Sequence, residues 1–118
     1  MNNNIIKGKS GEELVRVYLK NKGYIILESN YRNKIGEIDI IAKDKDILVF
    51  IEVKTRTSTN YGYAFEAVDY RKQRKIINTS MVYIKYKNFK NTQIRYDIIE
   101  VYLQNQIKIN HLENAFCL

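Results

Sequence analysis

The stretch GEIDIIAKDKDILVFIEVKTR, residues 36–56, contains two apolar runs, and Asp39, Glu52 and Lys54 stand inside them. Side chains alternate along a strand, so Leu48, Phe50, Glu52 and Lys54 share one face, opposite Val49, Ile51 and Val53. In the preceding run Glu37, Asp39 and Ile41 share a face, opposite Ile38, Ile40 and Ala42. A tight turn at Lys45-Asp46 sets Asp39 across from Glu52 and Glu37 across from Lys54. The second pairing is an ordinary cross-strand ion pair worth under about 1 kcal/mol. The first is not ordinary: two like charges about 4 Å apart repel by roughly 4 kcal/mol at an effective dielectric near 20. A divalent cation between them reverses the sign. Mg²⁺, or Mn²⁺ in its place, takes one or two carboxylates and fills its shell with waters and phosphate oxygens. Asp39 and Glu52 would hold the cation and the Val53 carbonyl could add a ligand. Lys54 would orient or deprotonate an attacking water and stabilise charge at phosphorus. This inventory suits phosphodiester hydrolysis.

The elements that position these residues can be read from periodicity and turn chemistry. Ser10 and Glu13 form a capping-box signature before Leu14, Val15, Tyr18 and Leu19, and Gly23 ends that helix. Tyr24–Glu28 reads as a strand and SNYRNK as a loop. Glu37–Ala42 and Ile47–Thr55 are paired strands joined by KDKD. Polar TSTNYGY follows as a loop. Ile76, Ile77, Ser80, Tyr83 and Ile84 fall at helical spacing, which predicts a second helix from Asp69 to Tyr86. Ile94–Leu103 and Ile107–His111 close the chain as two strands. Both faces of Ile47–Thr55 are apolar at one end, the mark of a central, doubly covered strand. The expected fold is a single mixed α/β domain over residues 1–118, in the order αβββαββ.

Composition narrows the partners. Lys and Arg outnumber Asp and Glu by 20 to 13, a net charge of +7 that favours a polyanion such as nucleic acid. No apolar run approaches the roughly 20 residues needed to cross a bilayer, and MNNNIIKGKSGEE lacks the apolar core of a signal peptide. One cysteine, Cys117, and one histidine, His111, exclude an intrachain disulfide and a Cys/His zinc site. A soluble protein of a reducing cytoplasm is expected.

The Asp39…Glu52-x-Lys54 arrangement resembles the PD-(D/E)xK nuclease superfamily, of restriction-endonuclease-like fold, in which these positions bind metal and activate water. More closely, Gly11-Glu12, Gly23-Tyr24, Gly36-Glu37-Ile38-Asp39, Phe50-Ile51-Glu52-Val53-Lys54-x-Arg56, Tyr61-Gly62, Lys72 and Arg95-x-Asp97 resemble the YraN family of uncharacterised bacterial proteins. That resemblance spans nearly the whole chain and implies kinship with archaeal Holliday-junction resolvases. It implies a Mg²⁺- or Mn²⁺-dependent endonuclease acting on DNA, branched or junction DNA included. It adds Glu12 to Asp39, Glu52 and Lys54 as a catalytic, metal-binding acid, with Glu37 as an accessory. It also implies a homodimer, since two strands need two sites; Tyr96, Tyr102 and Phe116 are the aromatics that would face a partner. Ile38 stands where the motif name has proline, which leaves the metal ligand in place.

Other residues carry a structural and a functional reading side by side. Glu12 is an acid at a helix N-terminus, favoured by the dipole, as well as a catalytic candidate. Arg71, Lys72, Arg74 and Lys75 crowd the start of the second helix, where positive charge opposes the dipole; a phosphate backbone, or solvent, would compensate. Of these, Lys72 lies one turn before Ile76 on the inward face. Arg56 either contacts phosphate or caps its strand. Arg56, Arg71, Lys72 and Lys75 are therefore the nucleic-acid-binding candidates. Tyr61 and Tyr63 could stack on bases, but ten tyrosines in the chain favour packing. Arg95 and Asp97 form a local pair on one strand face, and His111 belongs to no evident triad. Two further readings remain open: a non-catalytic nucleic-acid-binding protein of DNA repair, recombination or uptake, and an adaptor for an acidic protein.

Overall fold

The computed structural model describes residues 10–56 and 68–118. The capping box forms as expected: Glu13 N–H donates to Ser10 Oγ (3.1 Å) and the Glu13 carboxylate turns back to the Ser10 N–H. Helix α1, Gly11–Asn21, follows, and Gly23 supplies the positive φ of +92° that ends it. The remaining elements are β1 (Ile25–Arg32), β2 (Glu37–Asp44), β3 (Ile47–Arg56), α2 (Tyr70–Tyr86), β4 (Gln93–Leu103) and β5 (Ile107–Phe116), in the expected order αβββαββ. The tight turn is where the sequence puts it. Asp44 pairs with Ile47, and Lys45 adopts a φ of 56°.

The five strands form one mixed sheet in the order β1-β2-β3-β4-β5. Only β3 and β4 run parallel, because α2 carries the chain back across the sheet between them. The central strand β3 is covered on both sides. Val49 and Ile51 join Val15 and Leu19 of α1, together with Ile40, Ile99 and Val101. Leu48 and Phe50 join Ile76, Ile77 and Tyr83 of α2, together with Tyr96 and Ile98.

Two strands run further than their apolar patterns suggest. β1 continues through Ser29-Asn30-Tyr31-Arg32, read from sequence as loop, because an edge strand can carry polar residues on its outer side. A register shift between Ile26 and Glu28 and a positive φ at Asn30 accommodate the change. β5 continues from His111 to Phe116 past a second shift, where Asn114 takes a φ of 53°. Asparagine visits this left-handed region at low cost, which is why the strand resumes after it. Tyr96, Tyr102 and Phe116, expected as exposed dimer candidates, are instead buried, and Tyr96 and Phe116 stack at 5.3 Å. Tyr96 and Phe116 join the cluster beneath α2, a cover that strand alternation alone does not reveal. Tyr61, Gly62 and Tyr63 lie outside the described residues.

Candidate active site

The β2–β3 ladder keeps the expected register from Asp44↔Ile47 through Ile40↔Ile51 and stops there, one pair short of Asp39 and Glu52. At that point the Asp39 carboxylate, rather than a ladder carbonyl, accepts the Val53 N–H at 2.7 Å. The break also upsets strict alternation. Ile38 packs in the α2-side cluster with Ile41, while Ile40 and Ala42 pack on the α1 side. The expectation that Ile38, Ile40 and Ala42 share one face therefore fails at Asp39, where a side-chain hydrogen bond has replaced a backbone one.

The Asp39 and Glu52 carboxyls come within hydrogen-bonding reach of one another. Burial, and then the Glu52 carboxyl, push Asp39 up from 3.8 to about 8, against the pull of the Val53 N–H. Burial also disfavours the Glu52 anion, but its hydrogen bonds with Asp39 and Lys72 outweigh that and hold it low. The pair thus shares one proton near neutrality, which removes the like-charge repulsion when no cation is bound.

Cations surround this pair. Lys72, in the first turn of α2, places Nζ 3.0 Å from Glu52 Oε2. Burial and the neighbouring Lys72 ammonium lower the pKa of Lys54, although Glu52 and Asp39 pull the other way. Lys72 is raised: its contacts with Lys54 and the two acids overcome its own desolvation. Two side chains thus divide the labour, one ammonium neutralising Glu52 and the other pushed toward losing its proton.

Glu12 lies nearby but apart. Gly11 packs so closely on β3 that an added Cβ would collide with the Thr55 hydroxyl. This contact brings the start of α1 to the acids, and Glu12 raises Asp39 through space. No three acids, cysteines or histidines among the described residues come close enough to share one ion. Glu37, expected opposite Lys54, is not brought to the pair; its carboxylate binds Arg32 Nε at 2.8 Å on the β1 side. The early end of the β2–β3 ladder releases it. Mg²⁺ ordinarily takes only one or two carboxylates from a protein, and Asp39 and Glu52 supply two hard-oxygen groups of that kind without Glu12 or Glu37.

On the far side of Lys54 lies a residue that sequence reading did not single out. Glu100 of β4 is the parallel neighbour of Lys54 and is fully buried. It accepts from Tyr102 Oη at 2.6 Å and Asn110 Nδ2 at 2.7 Å, with Arg56 Nε at 3.9 Å. Among the described residues the buried Nε and Nη2 of Arg56 have no hydrogen-bond partner. Arg56 is thus neither a free surface cation nor a simple strand cap. An acid within IRYDIIEVYL was the available signal, but its significance depends on parallel pairing with β3. Arg71 and Lys75 are exposed on the first turns of α2, outside the carboxylate pair.

The Arg95–Asp97 pair expected from sequence forms on the α1 face at the other end of β4, within a larger cluster that sequence reading did not show. Asp97, fully buried, receives Arg95 through both oxygens at 2.9 Å, His111 Nε2 at 2.7 Å and Asn114 N–H at 2.9 Å. His111 Nδ1 in turn meets Tyr18 Oη at 2.9 Å, and Arg95 reaches Tyr24 and Asp44. Burial opposes the Asp97 anion, but these donors overcome it and lower its pKa. The local Arg95–Asp97 pair is the centre of a network joining α1, β2, β4 and β5.

A family model described as "Uncharacterised protein family UPF0102" matches residues 11–101. A UPF0102 protein of Caldanaerobacter subterraneus subsp. tengcongensis is 54% identical, over 92% of this chain and 93% of that protein. One from Clostridioides difficile is 52% identical over 97% and 99%, and one from Persephonella marina 48% over 96% and 95%.

Proposed function

The chain belongs to the uncharacterised protein family UPF0102, and on that footing we propose that it is a metal-dependent nuclease of the cytoplasm that hydrolyses DNA phosphodiesters, branched or junction DNA included. The observation that carries this reading is the neighbouring Asp39–Glu52 carboxyl pair, Asp39 held by the Val53 N–H and Glu52 by Lys72, with Lys54 beside them. A purely structural sheet gains nothing from two neighbouring acids where its β2–β3 ladder ends, whereas a cation gains two hard-oxygen ligands.

Asp39 and Glu52 would hold Mg²⁺ or Mn²⁺, which when bound supplies Lewis-acid polarisation of the phosphoryl oxygens. Asp39 is held in place by the Val53 N–H, so the carboxylate is oriented before any ligand arrives. Lys54, with a lowered pKa and half-buried, orients the attacking water and can take its proton. Lys72 turns from Glu52 to the substrate phosphate, and Arg56, steadied by Glu100, balances the charge that builds on the phosphoryl oxygens. Glu12 assists through its field on Asp39.

The test is cleavage of labelled duplex, single-stranded, flap and four-way-junction DNA with Mg²⁺ or Mn²⁺, beside Asp39→Ala and Lys54→Ala. Metal-dependent cutting that both substitutions abolish is expected. Salt-dependent binding with no cutting by any protein would overturn the catalytic reading in favour of a non-catalytic nucleic-acid-binding protein. No binding at low salt would favour an adaptor.

A further inference from the structure

Beside the acid pair lies an open groove of about 720 Å³ between the β1–β2 turn and the start of α2. Arg32, Asn33 and Gly36 form one wall, and Arg71, Lys72 and Lys75 the other. Four cations therefore face two acids, Glu37 and Asp69, and both acids are already engaged. Asp69 caps α2 by accepting the Lys72 N–H at 2.9 Å, and Glu37 holds Arg32.

The groove is built rather than incidental. Asn33 Oδ1 accepts the Ile35 N–H at 2.9 Å, and its Nδ2 donates to the Thr79 carbonyl of α2 at 3.2 Å. Gly36 lies against α2 so tightly that a Cβ would meet Thr79 Oγ1 at 2.9 Å and the Lys75 stem at 3.3 Å. The turn is thus fixed to the helix, and Lys75 lies directly over it. At its inner end Lys72, which lines the groove, reaches Glu52 of the carboxylate pair. Its volume falls within the range that takes a compact ligand, about 300–1,000 Å³. A cation-lined groove of this size suits the backbone of a few nucleotides of one strand.

We infer that this groove seats a single nucleic-acid strand leaving the site, with Arg32 as a phosphate contact and Glu37 as the group that holds Arg32 in place. The inference rests on the proposed nuclease reading and names the substrate feature: an unpaired strand next to the scissile phosphate. Arg32 side chain is 78% exposed, so its replacement should leave the fold intact. Its charge is available to a polyanion because displacing one exposed carboxylate costs little.

The test is binding of a blunt duplex and of the same duplex with a single-stranded tail, in Ca²⁺ to prevent cutting, across a salt series. The full chain is compared with Arg32→Glu and Glu37→Gln, and Mn²⁺ binding is followed in each by calorimetry. The parent is expected to favour the tailed probe. Arg32→Glu should weaken tailed binding about tenfold, reduce the salt slope by about one and leave the blunt probe nearly unaffected. Glu37→Gln should keep or tighten tailed binding with unchanged Mn²⁺ affinity. If Arg32→Glu has no effect, or weakens both probes equally, the groove assignment is overturned while the nuclease reading stands. Loss of Mn²⁺ binding in Glu37→Gln would overturn the role given to Glu37. No binding by the parent to either probe overturns the nuclease reading itself.

Discussion

Lys72 Nζ lies 3.0 Å from Glu52 Oε2, so the first turn of α2 places an ammonium against the acid that the central strand offers to a cation. An ammonium and a divalent ion compete for the same carboxylate. Lys72→Met should therefore tighten Mn²⁺ binding severalfold at a pH above 8, where the acid pair is ionised, while weakening nucleic-acid binding. Calorimetric titration with Mn²⁺ reads the first effect and a labelled DNA probe the second. Weaker Mn²⁺ binding in Lys72→Met would show that the lysine does not compete.

Asp39 gives the protein a pH dependence of defined sign. Its folded pKa of about 8 lies above the ordinary 3.8, so the folded state holds this proton more tightly than the unfolded one. The stability it contributes is present below about pH 4 and is lost as pH rises toward and through 8. Without divalent ions, Asp39→Asn should flatten the decline in Tm between about pH 4 and 8. It should also raise the alkaline Tm by several degrees, since about 1 kcal/mol is worth roughly 4–8 °C in a small domain. Mg²⁺ should raise the alkaline Tm of the parent and not that of the variant. Thermal melts across pH, with and without Mg²⁺, measure both. Parallel curves for the two proteins would mean that Asp39 is not the source.

The Asp97 network bears on stability rather than on the acid pair. Removing the carboxylate leaves Arg95 and His111 without their buried partner, a loss of about 3–5 kcal/mol for a broken buried pair. Asp97→Ala should lower the urea midpoint accordingly. Because the folded pKa of Asp97 is depressed, its contribution is present above the ordinary carboxylate pKa and disappears as pH falls through the folded value. The gap between parent and variant should therefore narrow in acid. A loss below about 1 kcal/mol would remove the network from the account of stability.

Much of this protein follows from short-range rules. Ser10 and Glu13 cap α1, Gly23 ends it, and Lys45-Asp46 closes the turn that sets the β2–β3 register; each depends on residues a few positions apart. Those rules also bring the strand positions of Asp39, Glu52 and Lys54 close together. They do not say where the ladder ends, because the Asp39 carboxylate takes the Val53 N–H and leaves Glu37 to Arg32. Nor do they bring Lys72 to Glu52, place Glu100 beside Lys54, or gather Tyr18, His111 and Arg95 around Asp97. These contacts join elements distant in sequence through the α2 crossover, the parallel β3–β4 pairing and the shift in β5. Periodicity identifies which face of an element is apolar. It does not identify which charged side chain from another element will arrive beside it, and only the pairing of distant strands and the packing of the two helices on opposite faces of the sheet decide that.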